Sequence, residues 1–210
     1  MGSGTSFARN EAGLILASDD FASVMQAVMW GRNIYQNIQR FLLFQITVNL
    51  SCLVTVLVGY ITLTESPLNA VQLIWINLIM DIFGALALAS TKPTEDLKKV
   101  RVNQERILAA HIYRQLFGVT LYNVAIMIWV TLGSKVVFGI DYDNHVQTTD
   151  ESQMGKDKKQ HITLIWNTFV WLALFNMINC RVVIPNKLNP FTRLFSNWMF
   201  LLIWIALAVF

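Results

Sequence analysis

Asp81 stands within the run AVQLIWINLIMDIFGALALA, and no other charged residue lies between Ala70 and Ala89. The run has the length and composition of a membrane span, and an ionised carboxylate near a bilayer centre costs a few kcal/mol even by lenient insertion scales. Such a group needs a compensating partner, and cation coordination is the usual one. Asn77 precedes Asp81 by four residues, so in a helix the two side chains share a face and offer an amide oxygen beside a carboxylate. On the preceding apolar run, Asn49 lies roughly 14 Å in from the cytoplasmic end by helical rise, close to the same depth. These three oxygen-bearing side chains, Asn49, Asn77 and Asp81, are the candidate metal ligands. Oxygen ligands suit a hard cation such as Ca²⁺, which takes six to eight of them, whereas softer metals call for His or Cys. One carboxylate balances only half of a divalent charge, and no further Asp or Glu lies in an apolar run. A divalent ion therefore requires a second carboxylate from outside this sequence.

Each polar residue also has a plainer reading. An intramembrane Asn can serve as an interhelical hydrogen-bonding group, and for Asn49 both readings stay open. Asn176 and Asn179 read as packing or helix-end groups. Trp30, Trp75, Trp166 and Trp171 read as interface or packing aromatics. His111, His145 and His161 show no metal-ligand spacing, and Cys52 and Cys180 have no partners at such spacing. The opening MGSGT follows no strand and does not make a phosphate loop.

The elements that carry these residues follow from composition. Hydrophobic residues form 55% of the 210 and charged residues 14%, far from a soluble domain's mixture. The charges cluster between long apolar runs, which predicts an all-α polytopic transmembrane bundle of about five spans, near residues 41–63, 70–89, 115–133, 162–180 and 194–210. A helix of about twenty residues covers a hydrocarbon core of roughly 30 Å. The net charge of +3 is no nucleic-acid footprint, because the bases sit in loops and not in a patch interleaved with aromatics.

Lys92, Lys98, Lys99, Arg101, Arg106 and Arg114 follow the second span, and Arg181, Lys187 and Arg193 follow the fourth, so both loops are expected on the cytoplasmic side. The acid-containing loop 134–160 and the turn with Glu65 then face the other way. Residues 20–40 have apolar spacing with few breakers and predict a cytoplasmic extension of the first membrane helix. Residues 1–19 are too short to bury a core and read as the end of a soluble domain. Five spans entered from the cytoplasm end on the outer face, which suggests a piece of a longer protein.

Three stretches carry a family resemblance: AVMWGRNIYQNIQRFLLFQITVN (27–49), LNAVQLIWINLIMDIFGALALAS (68–90) and WNTFVWLALFNMIN (166–179). They resemble the stalk with fifth helix, the sixth helix and the eighth helix of P-type ATPases, specifically the plasma-membrane, calmodulin-regulated calcium pumps. MGSGT with ASDDFASV resembles the end of that family's phosphorylation domain, and KPTEDL the loop after its sixth helix. The resemblance implies that Asn77 and Asp81 are ligands of a transported Ca²⁺ and that Asn49 belongs to the binding region. In the reticulum type of pump a glutamate serves a second site where Cys52 stands here, and the eighth-helix acid has no counterpart, which favours one ion per cycle.

The D-K-T-G, T-G-E-S, T-G-D-G-x-N-D and P-E-G-L motifs of the family are not in this sequence. ATP and Mg²⁺ would therefore belong to other domains of the full-length pump, and the chain alone would not hydrolyse ATP. The implied partners are the lipid bilayer, Ca²⁺, the pump's N-terminal domains and, in that longer protein, calmodulin. The implied location is the plasma membrane or an intracellular calcium-store membrane. Two other readings stay open: a P-type pump for Na⁺ or H⁺, and a non-catalytic helical membrane protein.

Overall fold

The computed structural model describes residues 3–17, 20–63, 68–91, 93, 110–138, 151–181 and 197–209. Most of the loop expected on the cytoplasmic side after the second span (residues 92 and 94–109), the turn at Glu65, residues 139–150 and residues 182–196 lie outside the described residues, and most of the charges that set the expected orientation lie there too.

No strand occurs among the described residues. The chain begins with a short helix α1 (Ser6–Glu11), whose first turn is capped by Thr5 Oγ1 accepting from the Ala8 N–H at 3.4 Å. None of its residues is buried. Helix α2 (Ala22–Leu63) is one uninterrupted element of 42 residues, about 63 Å long at helical rise. The stretch 20–40 and the first apolar span thus form a single rod from Ala22 onward. No proline interrupts it, and two of its buried hydroxyls are satisfied within the helix: Thr47 Oγ1 donates to Leu43 O at 2.7 Å and Thr55 Oγ1 to Ser51 O at 2.8 Å.

The second span is a composite. Helix α3 (Ala70–Trp75) passes into a π-helical turn over Ile76–Met80, which passes into helix α4 (Asp81–Ala89). Its entry is fixed by the Asn69 N–H donating to Gln72 Oε1 at 2.8 Å. Helix α5 (Ala110–Phe138) and helix α6 (Glu151–Asn179) follow, each of 29 residues. Both extend beyond the apolar cores expected for the third and fourth spans, and α6 takes in residues 151–160 of the loop drawn as 134–160. The last element is helix α7 (Trp198–Val209).

Four stretches are long and apolar enough to cross a bilayer: Ala22–Ile61, Ala70–Ala89, Ala110–Gly133 and Lys159–Asn179. Helix α7, on the expected fifth span, has 12 described residues and covers about 18 Å, with residues 194–196 and 210 outside the description. The chain is an all-α, multi-pass membrane bundle.

Helix α2 is the hub, packed on α4 and α5 and touching α6, while α4 meets α7 and α5 meets α6. Phe44, Val48, Met80, Leu88, Met127 and Leu174 lie in the buried core. Large apolar side chains such as Leu57, Ile74, Ile82, Phe117 and Leu121 point outward, as lipid permits and water would not. Polar contacts pin the helices to each other. Trp204 Nε1 donates to Leu174 O at 3.0 Å, joining α7 to α6, and the Arg181 guanidinium lies 4.4 Å from the centre of the Phe200 ring. His161 is buried between α5 and α6, hydrogen-bonded to the backbone of Thr131, which gives that histidine a structural role.

Candidate functional site

Asp81 is the first residue of α4, directly after the π-helical turn. It is 8% exposed, so the helix rotation turns the carboxylate into the bundle, away from lipid. Against it lies α2. Gln45 Nε2 donates to Asp81 Oδ2 at 2.5 Å, a charge-assisted contact between the hub helix and the second span.

The other halves of both groups have no such contact. Asp81 Oδ1 and Gln45 Oε1 are each shielded from solvent, and neither has a hydrogen-bond partner among the described residues. A buried acceptor left unpaired costs about 1–3 kcal/mol, more if charged. Both belong to one hydrogen-bonded pair inside a membrane span, and a cation is one group that can partner buried oxygens there.

The other two candidates are placed differently. Asn77 lies in the π-helical turn and Asn49 on α2, one turn beyond Gln45, and both are exposed on the surface of the described chain. The structure therefore brings Asp81 together with Gln45 and leaves Asn49 and Asn77 on open faces of the same two elements. The π-helical turn between Asn77 and Asp81 widens the helix, shifting its hydrogen-bond ladder from the i→i−4 pattern; such turns recur at functional sites.

Two further amides of α2 fasten it to the far end of α4. Asn37 Nδ2 donates to Ala89 O at 3.1 Å and Asn33 Nδ2 to Thr91 O at 2.8 Å. Asn37 also accepts from Arg40 Nη1 at 2.9 Å, so its amide is used on both sides. Asn33, Asn37 and Gln45 are spaced by multiples of four and form one stripe along α2. Between them and Asp81, the ring of Phe44 sits over Gly84, where a Cβ would fall 2.7 Å from its Cε1 atom. Close approach of the two helices at this point requires glycine.

Gln45 escaped the sequence reading, although a signal existed. It is an uncharged amide inside an otherwise apolar run, four residues from Asn49 and hence on the same side of α2. Among the described residues, no three His, Cys, Asp or Glu side chains come together, so any metal site here rests on one carboxylate and neutral oxygens. A separate cavity of about 410 Å³ lies between α3, α6 and α7, walled by Trp75, Trp166 and Trp171 with Gln72 and Asn167. Asp81 does not line it.

Comparison with known proteins places the chain's sequence in a family. Residues 65–210 match the family model described as "Cation transporting ATPase, C-terminus". The chain is similar to the plasma membrane calcium-transporting ATPase mca-1 of Caenorhabditis elegans, 37% identical over 97% of the chain and 16% of that protein. It is 37% identical to the plasma membrane calcium-transporting ATPase 3 of Homo sapiens over 94% of the chain and 16% of that protein. It is also 36% identical to the plasma membrane-type calcium-transporting ATPase 9 of Arabidopsis thaliana, over 96% of the chain and 18% of that protein. The chain thus spans about one sixth of the length of these curated relatives. With the family model matching well over half of its residues, the chain belongs to the cation-transporting ATPases, in their C-terminal membrane region.

Proposed function

We propose that this chain is the membrane segment of an ATP-driven calcium pump and contributes part of the intramembrane Ca²⁺ site through Asp81, Asn77 and Asn49. The observation that carries the reading is the buried Asp81 carboxylate, with Oδ1 unpartnered among the described residues, in the middle of a span. The names of the relatives supply the ion. The exposed faces of Asn49 and Asn77 suit a further helix of the full-length pump, which would complete the ligand set and bring the second carboxylate.

In this mechanism the chain's own task is binding and release, while ATP and Mg²⁺ act in other domains of the full-length protein. The 42-residue α2 is the lever: its cytoplasmic half is continuous with the part that holds Gln45 and Asn49. A tilt at one end changes how these residues meet Asp81 at the other. The site must hold the ion tightly in one state and weakly in the other, because equal affinity in both would transport nothing. The bilayer is the solvent of the segment, the plasma membrane or an intracellular calcium-store membrane its location, and calmodulin a partner of the longer pump.

The test is Asp81→Asn in a full-length pump built with this chain as its membrane segment, read by calcium-dependent phosphorylation from ATP. Loss of the calcium dependence is expected, and an unchanged calcium affinity would sink the proposal. A site that instead answers to Na⁺ or H⁺ in the same assay would reassign the ion.

A further inference from the structure

We propose that Gln45 is a member of the cation site, holding Asp81 in place through Nε2 and presenting Oε1 as a neutral oxygen ligand. The inference rests on the reading of Asp81 as a cation-binding carboxylate and adds a residue which that reading lacks.

Glutamine carries donors on one side of its terminal group and an acceptor on the other. Nε2 lies 2.5 Å from Asp81 Oδ2, and against an ionised carboxylate the amide presents its donor. The reverse orientation would set Oε1 against a carboxylate oxygen, acceptor to acceptor. Donation from Nε2 thus turns Oε1 away from Oδ2.

Two buried oxygens result, Asp81 Oδ1 and Gln45 Oε1, and neither meets a donor among the described residues. They sit on opposite partners of one hydrogen bond and belong to different helices. A hard cation collects such oxygens at about 2.3–2.6 Å, accepting amide carbonyls as readily as carboxylates. The last torsion of a glutamine is broad and roughly two-fold, and the Nε2 bond to Oδ2 selects the side from which Oε1 is offered.

The division of labour has a functional consequence. Oδ2 is committed to α2 through Gln45, which leaves Oδ1 as the carboxylate oxygen offered to the ion. Asp81 then binds through one oxygen, and its position is coupled to the lever helix. The Asn33 and Asn37 bonds to the end of α4 hold the two helices in the register that this pairing requires.

Calcium titration of ATP-dependent phosphorylation tests the assignment in the full-length pump built with this chain. Gln45→Leu removes both the donor and the oxygen, and Gln45→Asn withdraws both by one methylene. Each is expected to raise the half-saturating calcium by about 10-fold or more, the scale of losing a group that orients a metal ligand, with the maximum phosphorylation level largely kept. Gln45→Glu keeps an oxygen in reach but sets an acceptor against Asp81 Oδ2 in place of the Nε2 donor, and is likewise expected to raise the half-saturating calcium. Should Gln45→Leu fail to fold, Gln45→Asn decides.

A lowered yield with unshifted half-saturation in Gln45→Asn overturns the inference in favour of a packing role. The cation site and the part of Gln45 in it are tested separately. Asp81→Asn abolishing calcium dependence while the Gln45 variants titrate normally removes Gln45 alone. Asp81→Asn titrating normally removes the site.

Discussion

The ring of Phe44 on α2 occupies the space that a side chain on residue 84 of α4 would need: a Cβ there would lie 2.7 Å from Cε1. Phe44 is fully buried, so its ring has little room to turn aside. This contact sets the distance between the hub helix and the helix that begins with Asp81. Gly84→Ala is therefore expected to force the helices apart and to destabilise the bundle by about 1–3 kcal/mol. Thermal unfolding in detergent measures it. Combining Gly84→Ala with Phe44→Leu should recover part of the loss, and a double variant no better than Gly84→Ala alone would show that the clash is not the cause.

The amide stripe of α2 makes a second expectation. Asn37 donates to Ala89 O and accepts from Arg40, so Asn37→Ala removes two buried hydrogen bonds at once. A cost of about 1–2 kcal/mol is expected, given that polar contacts within membrane bundles average below 1 kcal/mol each. Asn37→Asp keeps an acceptor for the Arg40 guanidinium and loses only the donation to Ala89 O, so it should melt above Asn37→Ala. Equal melting temperatures for the two variants would contradict this arrangement.

Both cysteines are enclosed by the bundle. Cys52 is 8% exposed and Cys180 is 1% exposed, with Cys180 Sγ 3.5 Å from Asn176 Oδ1. Neither thiol should react with a water-soluble maleimide in the folded, detergent-embedded chain, and both should react after denaturation in dodecyl sulfate. Stoichiometric labelling before denaturation would show that α2 or the end of α6 is not packed as described.

Calcium binding by the 210-residue chain itself is expected to be weak or undetectable in detergent. Asp81 supplies a single carboxylate, and Asn49 and Asn77 lie on exposed faces where no second acid meets them among the described residues. Equilibrium dialysis with radioactive calcium gives the answer directly. Tight, stoichiometric binding would refute the view that the ligand set needs another helix.

The sequence by itself determined a good deal. Apolar runs of membrane length between charged loops announced a helical bundle, since a bilayer admits helices whose backbone bonds are satisfied internally. Asp81 declared itself by the cost of a carboxylate in such a run, and the three stretches around Asn49, Asp81 and Asn176 carried the family. None of that requires knowing how one helix faces another.

The rotation of each helix against its neighbours was settled by the tertiary structure alone. Helical period places Asn77 beside Asp81 and Asn49 beside Gln45, but it does not say which side of the helix meets a neighbour. In a soluble helix the polar face answers that question. In these spans the outward face is as apolar as the inward one, because lipid replaces water, and the usual cue is lost. Packing decided it: Phe44 seated over Gly84 brings α2 and α4 together, which turns Asp81 inward onto Gln45 and leaves Asn49 and Asn77 outside. The π-helical turn at Ile76–Met80 was equally hidden, since no glycine or proline marks it.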